Sequence, residues 1–162
     1  MENMKLNNNL ECPMLGLGTF MLSPADAYTS TLEALKMGYS LIDTANAYVN
    51  ERAVGRAIKD SGIDRKNIFL STKIWASEYE NENTVEETLE RLGVDYVDLL
   101  YIHQPVPDTE CLKKRIERAK QNPLVSRILK ENIWKSWKQS GKLYLSLFRW
   151  KHIHISHRKN FV

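Results

Sequence analysis

Tyr39-Ser40-Leu41-Ile42-Asp43 is a mostly apolar run that ends in a carboxylate, and the chain repeats this pattern twice. Ile68-Phe69-Leu70-Ser71-Thr72-Lys73 ends in an ammonium, and Val97-Asp98-Leu99-Leu100-Tyr101-Ile102-His103 ends in an imidazole. Such runs are typical of buried parallel strands. The thirty residues between successive ends are about the length of one βα unit. In one sheet, the three polar ends would meet at the edge where α/β enzymes carry their chemistry.

Helical patterns with glycine stops separate these runs. Ser23 is a helix cap with Pro24 behind it, and a helix from there should end at Gly38. Further helices are predicted at about 51–61 and 84–92, and further strands at 14–18 and 143–148, with a short hairpin or leader over residues 3–17. Alternating strands and helices predict a parallel α/β sheet of four secure βα units and a fifth, less regular one.

Composition is ordinary for one soluble domain: 162 residues, 43% hydrophobic and 27% charged. Cys12 and Cys111 are too few for a disulfide framework, which favours a reducing, cytoplasmic location. No apolar run is long enough for a signal peptide or a membrane span, so no membrane partner is expected.

Charge divides the chain sharply. Residues 1–131 carry 16 Lys and Arg against 20 Asp and Glu, a net −4, whereas residues 132–162 carry seven basic residues and no acid, a net +7. Such a change marks a boundary. We therefore predict a folded unit over 1–141 and a basic tail over 142–162. His152 and His154 in the tail lack a nearby carboxylate or thiolate for a zinc site, so no metal is expected.

The tail allows two other interpretations. Its basic and aromatic residues, Trp150 and Phe161 among them, are compatible with nucleic-acid binding by charge and stacking. The favoured interpretation is sequence without a selected role, and no nucleic-acid partner is expected.

Tyr48 lies five residues after Asp43, the first of the three polar ends, and adds a phenol to the carboxylate, ammonium and imidazole. A phenol has an ordinary pKa of about 10, so it exchanges protons poorly at neutral pH. A neighbouring lysine favours the phenolate, a carboxylate holds the lysine in place, and an imidazole can donate to a carbonyl oxygen that gathers charge. Asp43, Tyr48, Lys73 and His103 at one edge therefore predict a carbonyl-reducing site, given a hydride source.

Several segments resemble the aldo-keto reductase family. Gly38-Tyr39-Ser40-Leu41-Ile42-Asp43-Thr44-Ala45, followed by Tyr48 and Asn50-Glu51, is similar to the family signature, with Ser40 where an arginine is usual. Leu15-Gly16-Leu17-Gly18-Thr19-Phe20 resembles the first barrel strand, and Ser71-Thr72-Lys73-Ile74-Trp75 and Ile102-His103-Gln104-Pro105 resemble later strands. The resemblance covers roughly residues 4–105.

The resemblance implies a (β/α)8 barrel and NADPH-dependent reduction of small aldehydes or ketones. Tyr48 would donate the proton, Lys73 paired with Asp43 would lower the pKa of Tyr48, and His103 would orient the carbonyl. The implied substrate-binding residues are Phe20, Trp75, His103 and Gln104, and those near the nicotinamide ribose are Gly18, Thr19 and Asp43.

The chain also departs from the family pattern. A full barrel takes about 250 residues, and the Ser-Asn-Phe segment expected soon after Gly141-Lys142 is missing from Leu143-Tyr144-Leu145-Ser146-Leu147-Phe148. We expect a partial barrel of four to five βα units with an N-terminal hairpin, cut by a frameshift or early stop near Gly141. The alternative to a reductase is a non-catalytic fragment whose basic tail binds an acidic partner or nothing.

Overall fold

The computed structural model describes residues 2–6 and 10–104. Within them, four parallel strands form one sheet: β3 (Leu17–Gly18), β4 (Leu41–Asp43), β5 (Phe69–Ile74) and β6 (Leu99–Ile102). Their order in the sheet, β3-β4-β5-β6, is also their order along the chain. Each connection therefore joins neighbouring parallel strands, as in a (β/α)8 barrel. The predicted strand at 143–148 and the basic tail lie outside the described residues.

Three helices connect the strands: α1 (Pro24–Lys36), α2 (Glu51–Asp60) and α3 (Thr84–Leu92). The side chain of Ser23 accepts a hydrogen bond from the backbone N–H of Asp26, which confirms the predicted cap of α1. Gly93 ends α3 with φ of +63°, a left-handed conformation that glycine adopts without a steric penalty.

The sheet has two differently covered faces. On the outer face, Ile42, Leu70 and Leu100 pack with apolar residues of the helices in the main core. On the inner face, the first residues of β4, β5 and β6 (Leu41, Phe69 and Leu99) cluster with buried Cys12. Cys12 belongs to an antiparallel hairpin, β1 (Asn3–Lys5) and β2 (Glu11–Pro13), which covers the N-terminal ends of these strands.

Strand periodicity decides what occupies the other end of the inner face. Alternate residues of a strand share a face, so Asp43 follows Leu41 and Lys73 follows Phe69 on the inner side. The parallel registers place Asp43 beside Ser71 and Lys73 beside Tyr101. Polar side chains therefore lie at the C-terminal ends of the strands, above an apolar layer that the hairpin closes.

Close approach of α2 and α3 depends on Gly55. A Cβ at this position would overlap the backbone carbonyl of Leu92 at the end of α3. The absence of a side chain lets the two helices pack directly over β5. No helix of the described ranges is both long and apolar enough to cross a membrane.

Candidate active site

The ammonium of Lys73 lies at the centre of the polar group on the inner face. Its Nζ donates to Oδ2 of Asp43 at 2.6 Å, to the backbone carbonyl of Thr44 at 2.9 Å and to the hydroxyl of Tyr48 at 3.3 Å. Lys73 and Asp43 are both largely buried. A charge-assisted pair in such a position is short and strongly oriented. The structure thus brings three of the four residues expected to be catalytic into direct contact.

Ser71 holds the second oxygen of the Asp43 carboxylate. Its hydroxyl donates to Oδ1 at 2.6 Å, and the side chain is buried. Sequence analysis did not single out this residue. The signal was present, because Ser71 lies two positions before Lys73 and shares its face of β5.

Tyr48 reaches the site from a short 3-10 turn, Asn46–Tyr48, just beyond β4. The turn is tied to the end of β5, since Oδ1 of Asn46 accepts a hydrogen bond from the backbone N–H of Trp75 at 2.9 Å. The residue after the turn, Val49, has φ of +58°. This left-handed conformation is uncommon for a β-branched residue.

His103 follows β6 and faces two aromatic rings edge-on. Its ring centroid lies 4.7 Å from that of Trp75 and 5.7 Å from that of Tyr48. Burial, followed by the positive charge of Lys73, lowers the pKa of His103 below its ordinary value of 6.5, against the opposite effect of Asp43. The Nδ1 atom is buried and has no hydrogen-bond partner within residues 2–6 and 10–104. The imidazole is therefore neutral at pH 7.

An open cavity of about 570 Å³ lies over this group. The residues that line it are Phe20, Ala47, Tyr48, Trp75, His103 and Gln104. All four residues expected to bind substrate are among them. The lining combines the aromatic rings of Phe20 and Trp75 with residues that carry polar groups, Tyr48, His103 and Gln104. Such a cavity suits a small, mainly apolar molecule with one polar group.

The residues expected near the cofactor, Gly18, Thr19 and Asp43, differ in how accessible they are to a ligand. Gly18 pairs in register with Asp43, and a Cβ on Gly18 would meet nothing within 4 Å. A flat group could therefore approach this backbone closely beside the carboxylate. Thr19 is fully buried instead, and its hydroxyl is hydrogen-bonded to the hydroxyl of Thr44 at 2.9 Å. The backbone at Gly18 and the Asp43 carboxylate therefore leave room for a ligand, whereas the Thr19 hydroxyl is already bonded.

The buried carboxylate of Glu51, to which sequence analysis gave no role in the site, supports the strand that carries Lys73. Glu51 is 2% exposed, accepts from the hydroxyl of Thr72 at 2.9 Å and pairs with Nε of Arg91 at 2.7 Å. Burial raises the pKa of Glu51, and the bonds from Arg91 and Thr72 oppose that rise. The Glu51 carboxylate therefore links α2 to β5 through Thr72 and to α3 through Arg91. No cluster of three potential metal ligands occurs in the described part of the chain.

Comparisons with known proteins place the chain in a family. The Aldo/keto reductase family profile matches residues 14–144. Aldehyde reductase YPR1 of Saccharomyces cerevisiae is 49% identical over 105 residues, covering 64% of this chain and 34% of the yeast protein. Glycerol 2-dehydrogenase (NADP(+)) from the same organism is 48% identical over 103 residues, covering 63% of this chain and 33% of that protein. The chain thus matches about a third of the length of these relatives.

Solved structures give the same result for the fold. An aldo/keto reductase from Brucella melitensis superposes with a TM-score of 0.72 at 38% identity, covering 87% of this chain and 58% of that one. The solved relatives are TIM barrels, which confirms the expected α/β fold as part of such a barrel.

Proposed function

The chain belongs to the aldo/keto reductase family, and on this premise we propose that it reduces small aldehydes or ketones to alcohols with NADPH. Members of this family are oxidoreductases that in general use NADPH and act on small carbonyl compounds. The observation that carries the proposal is the position of Lys73 Nζ, which contacts both Asp43 and the hydroxyl of Tyr48. The names of the yeast relatives, an aldehyde reductase and an NADP(+)-dependent dehydrogenase, support it.

Tyr48 is the proposed proton donor. Its hydroxyl lines the cavity and gives a proton to the carbonyl oxygen as negative charge develops there. Lys73, 3.3 Å away, stabilises the phenolate that remains after the proton has left. Asp43 holds the ammonium of Lys73 in place beside the phenol, through the contact of 2.6 Å.

His103 is proposed to orient the carbonyl. A neutral imidazole has one N–H group, and the buried Nδ1 leaves Nε2 as the nitrogen that can reach a ligand. We place the proton on Nε2, where it donates to the same carbonyl oxygen that Tyr48 protonates. Two donors on one oxygen fix the position of the carbonyl carbon and polarise its bond to oxygen.

NADPH supplies the hydride when it is bound. Gly18 and Asp43 would hold its nicotinamide ribose, because the space over Gly18 is open and Asp43 lies beside it. The aromatic walls of Phe20 and Trp75 bind the apolar part of the substrate and exclude water from the carbonyl.

Aldehyde-dependent oxidation of NADPH tests this function. The purified chain of 162 residues should oxidise NADPH only when an aldehyde such as benzaldehyde is present, and Tyr48→Phe should abolish the reaction. Tyr28→Phe is the matched control, since Tyr28 bonds Asp60 on the surface, away from the cavity. Failure of the wild-type chain to bind or oxidise NADPH would favour the non-catalytic alternative, and full activity in Tyr48→Phe would exclude its role as proton donor.

We also propose a cytoplasmic location. In the described part of the chain, Cys12 is a free, buried thiol, and burial raises its pKa to about 11. Such a thiol is unreactive and needs no oxidising compartment. A fluorescent fusion imaged in cells checks this directly, and a signal confined to a secretory organelle would contradict it.

A further inference from the structure

Asn50 occupies the N-cap position of α2 but does not act as a cap. An asparagine at this position usually accepts a hydrogen bond from one of the first free N–H groups of the helix. Asn50 makes no such bond, and its side chain is 1% exposed. The amide is therefore committed elsewhere, in a place where every polar group needs a partner.

The amide of Asn50 binds the loop between β3 and α1. Its Nδ2 donates to the backbone carbonyl of Thr19 at 2.9 Å and to that of Leu22 at 3.1 Å. Its Oδ1 accepts from the hydroxyl of Thr44 at 3.1 Å. Both N–H groups and the oxygen of the amide are bonded, and these bonds join the end of β3, the end of β4 and the start of α2.

The two bonded carbonyls lie on either side of Phe20 and Met21. Met21 has φ of +61° and is 85% exposed, and Val49, next to Asn50, has φ of +58° and is 83% exposed. Left-handed residues other than glycine persist only where the surrounding structure holds them. Each one directly follows an aromatic residue of the cavity, Phe20 in one loop and Tyr48 in the other.

The ring of Phe20 is held by its loop rather than by burial. It is 57% exposed, yet its centroid lies 5.1 Å from that of Tyr48 at an angle of 55°. We propose that Asn50 is a positioning residue that clamps the Thr19–Leu22 loop and so keeps Phe20 against Tyr48 as one wall of the cavity. The meaning of this wall for catalysis rests on the proposed function, whereas the clamp itself does not.

Ring contacts measured by NMR test the clamp without any need for activity. In the full chain labelled at Phe and Tyr, wild-type protein should show a nuclear Overhauser effect between the rings of Phe20 and Tyr48. Asn50→Asp keeps the shape of the side chain but removes both N–H donors, and it should lose this signal. Asn83→Asp is the matched control, because Asn83 has the same place before α3, makes no side-chain cap bond and is exposed. A signal retained in Asn50→Asp would overturn the proposal.

Hydrogen exchange in the wild-type protein tests the same clamp when Asn50→Asp does not fold. Both Nδ2 protons of Asn50 are bonded to carbonyl groups in a buried place, so they should exchange far more slowly than those of exposed Asn83. Equal exchange rates for the two side chains would overturn the proposal.

Kinetics then separate positioning from general support of the fold. Asn50→Asp should raise KM for benzaldehyde about fivefold to tenfold, the value of one lost aromatic contact, with little change in kcat and little change with propanal, which has no ring. In a Phe20→Ala background, Asn50→Asp should have no further effect on KM. Equal losses with both aldehydes, or additive losses in the double variant, would contradict the role. An inactive wild-type chain would refute the proposed function and leave the NMR result to decide the clamp.

Discussion

The Nζ of Lys73 and Oδ2 of Asp43 lie 2.6 Å apart at the C-terminal ends of neighbouring strands, although thirty residues separate them along the chain. The same ammonium lies 3.3 Å from the hydroxyl of Tyr48. A charge-assisted pair of this length is strongly oriented. The carboxylate therefore fixes the position of the ammonium that supports the proposed proton donor.

Replacing Lys73 tests this dependence. Lys73→Met keeps the length of the side chain but removes the ammonium, and it should lower kcat/KM for aldehydes by a factor of about 100 or more, because the phenolate loses its nearest cation. Lys59→Met, on the exposed end of α2, is the control and should leave kcat/KM unchanged. Steady-state kinetics with NADPH check both, and equal rates in Lys73→Met and wild type would contradict the assigned role.

Ser71 should orient the carboxylate. Ser71→Ala leaves Oδ1 of Asp43 without its bond of 2.6 Å, so the free energy of unfolding should fall by about 1–3 kcal/mol and kcat should fall with it. Ser71→Thr keeps the hydroxyl and should restore most of kcat. Urea unfolding and kinetics measure the two effects. A Ser71→Ala protein with normal kcat would show that Asp43 needs no second partner.

The lowered pKa of His103 predicts a loss of stability in acid. In the unfolded chain the imidazole of His103 is protonated near its ordinary pKa of 6.5. In the folded state, burial and the charge of Lys73 keep it neutral to a lower pH. The stability that comes from the neutral imidazole is therefore fully present above pH 6.5, and it is lost as the pH falls through the lower pKa of the folded state.

Titration of the His103 ring by NMR measures this shift. The resonance is assigned by its disappearance in His103→Gln, which separates it from the histidines of the tail. A midpoint below 6.5 is expected for His103. A midpoint at or above 6.5 would contradict the lowered pKa of His103, and a midpoint above 7 would contradict the neutral imidazole at pH 7.

Glu51 should contribute strongly to stability. Glu51→Ala removes the partner of Arg91 and Thr72 in a buried place, so the free energy of unfolding should fall by about 3–5 kcal/mol. Glu90→Ala breaks only an exposed ion pair of 4.0 Å with Arg52 and should have no measurable effect. Urea unfolding compares the two variants. Equal free energies of unfolding for the two variants would show that the buried pair of Glu51 and Arg91 makes no net contribution to stability.

Much of the fold could be predicted from the sequence because its signals are local. Gly38, Gly62 and Gly93 adopt positive φ where the helices were expected to end. The strand predicted at 14–18 is wrong in its extent, since the structure has only Leu17–Gly18 and leaves Met14 and Leu15 exposed. Apolar residues that lead into a strand have the same sequence pattern as the strand itself, and only tertiary packing distinguishes the two.

The site was only partly predictable, for a different reason. Asp43, Lys73 and His103 share strand periodicity and a regular spacing, so they could be placed at one edge together. Apart from the bond between Asn50 and Thr44, six positions apart, the bonds of Asn50, Glu51 and Ser71 join residues 21 to 40 positions apart. No local pattern encodes which distant partner a polar side chain selects, and Asn50 and Glu51 resemble an ordinary helix start.

Transfer of deuterium tests the central claim most directly. NADPH that carries deuterium in place of both hydrogens at the reactive nicotinamide carbon is incubated with benzaldehyde and the purified chain, and the alcohol is analysed by mass spectrometry. The proposed site predicts one deuterium on the former carbonyl carbon with wild-type protein and none above background with Tyr48→Phe. An unlabelled product, no product from the wild-type chain, or equal labelling by both proteins would contradict it.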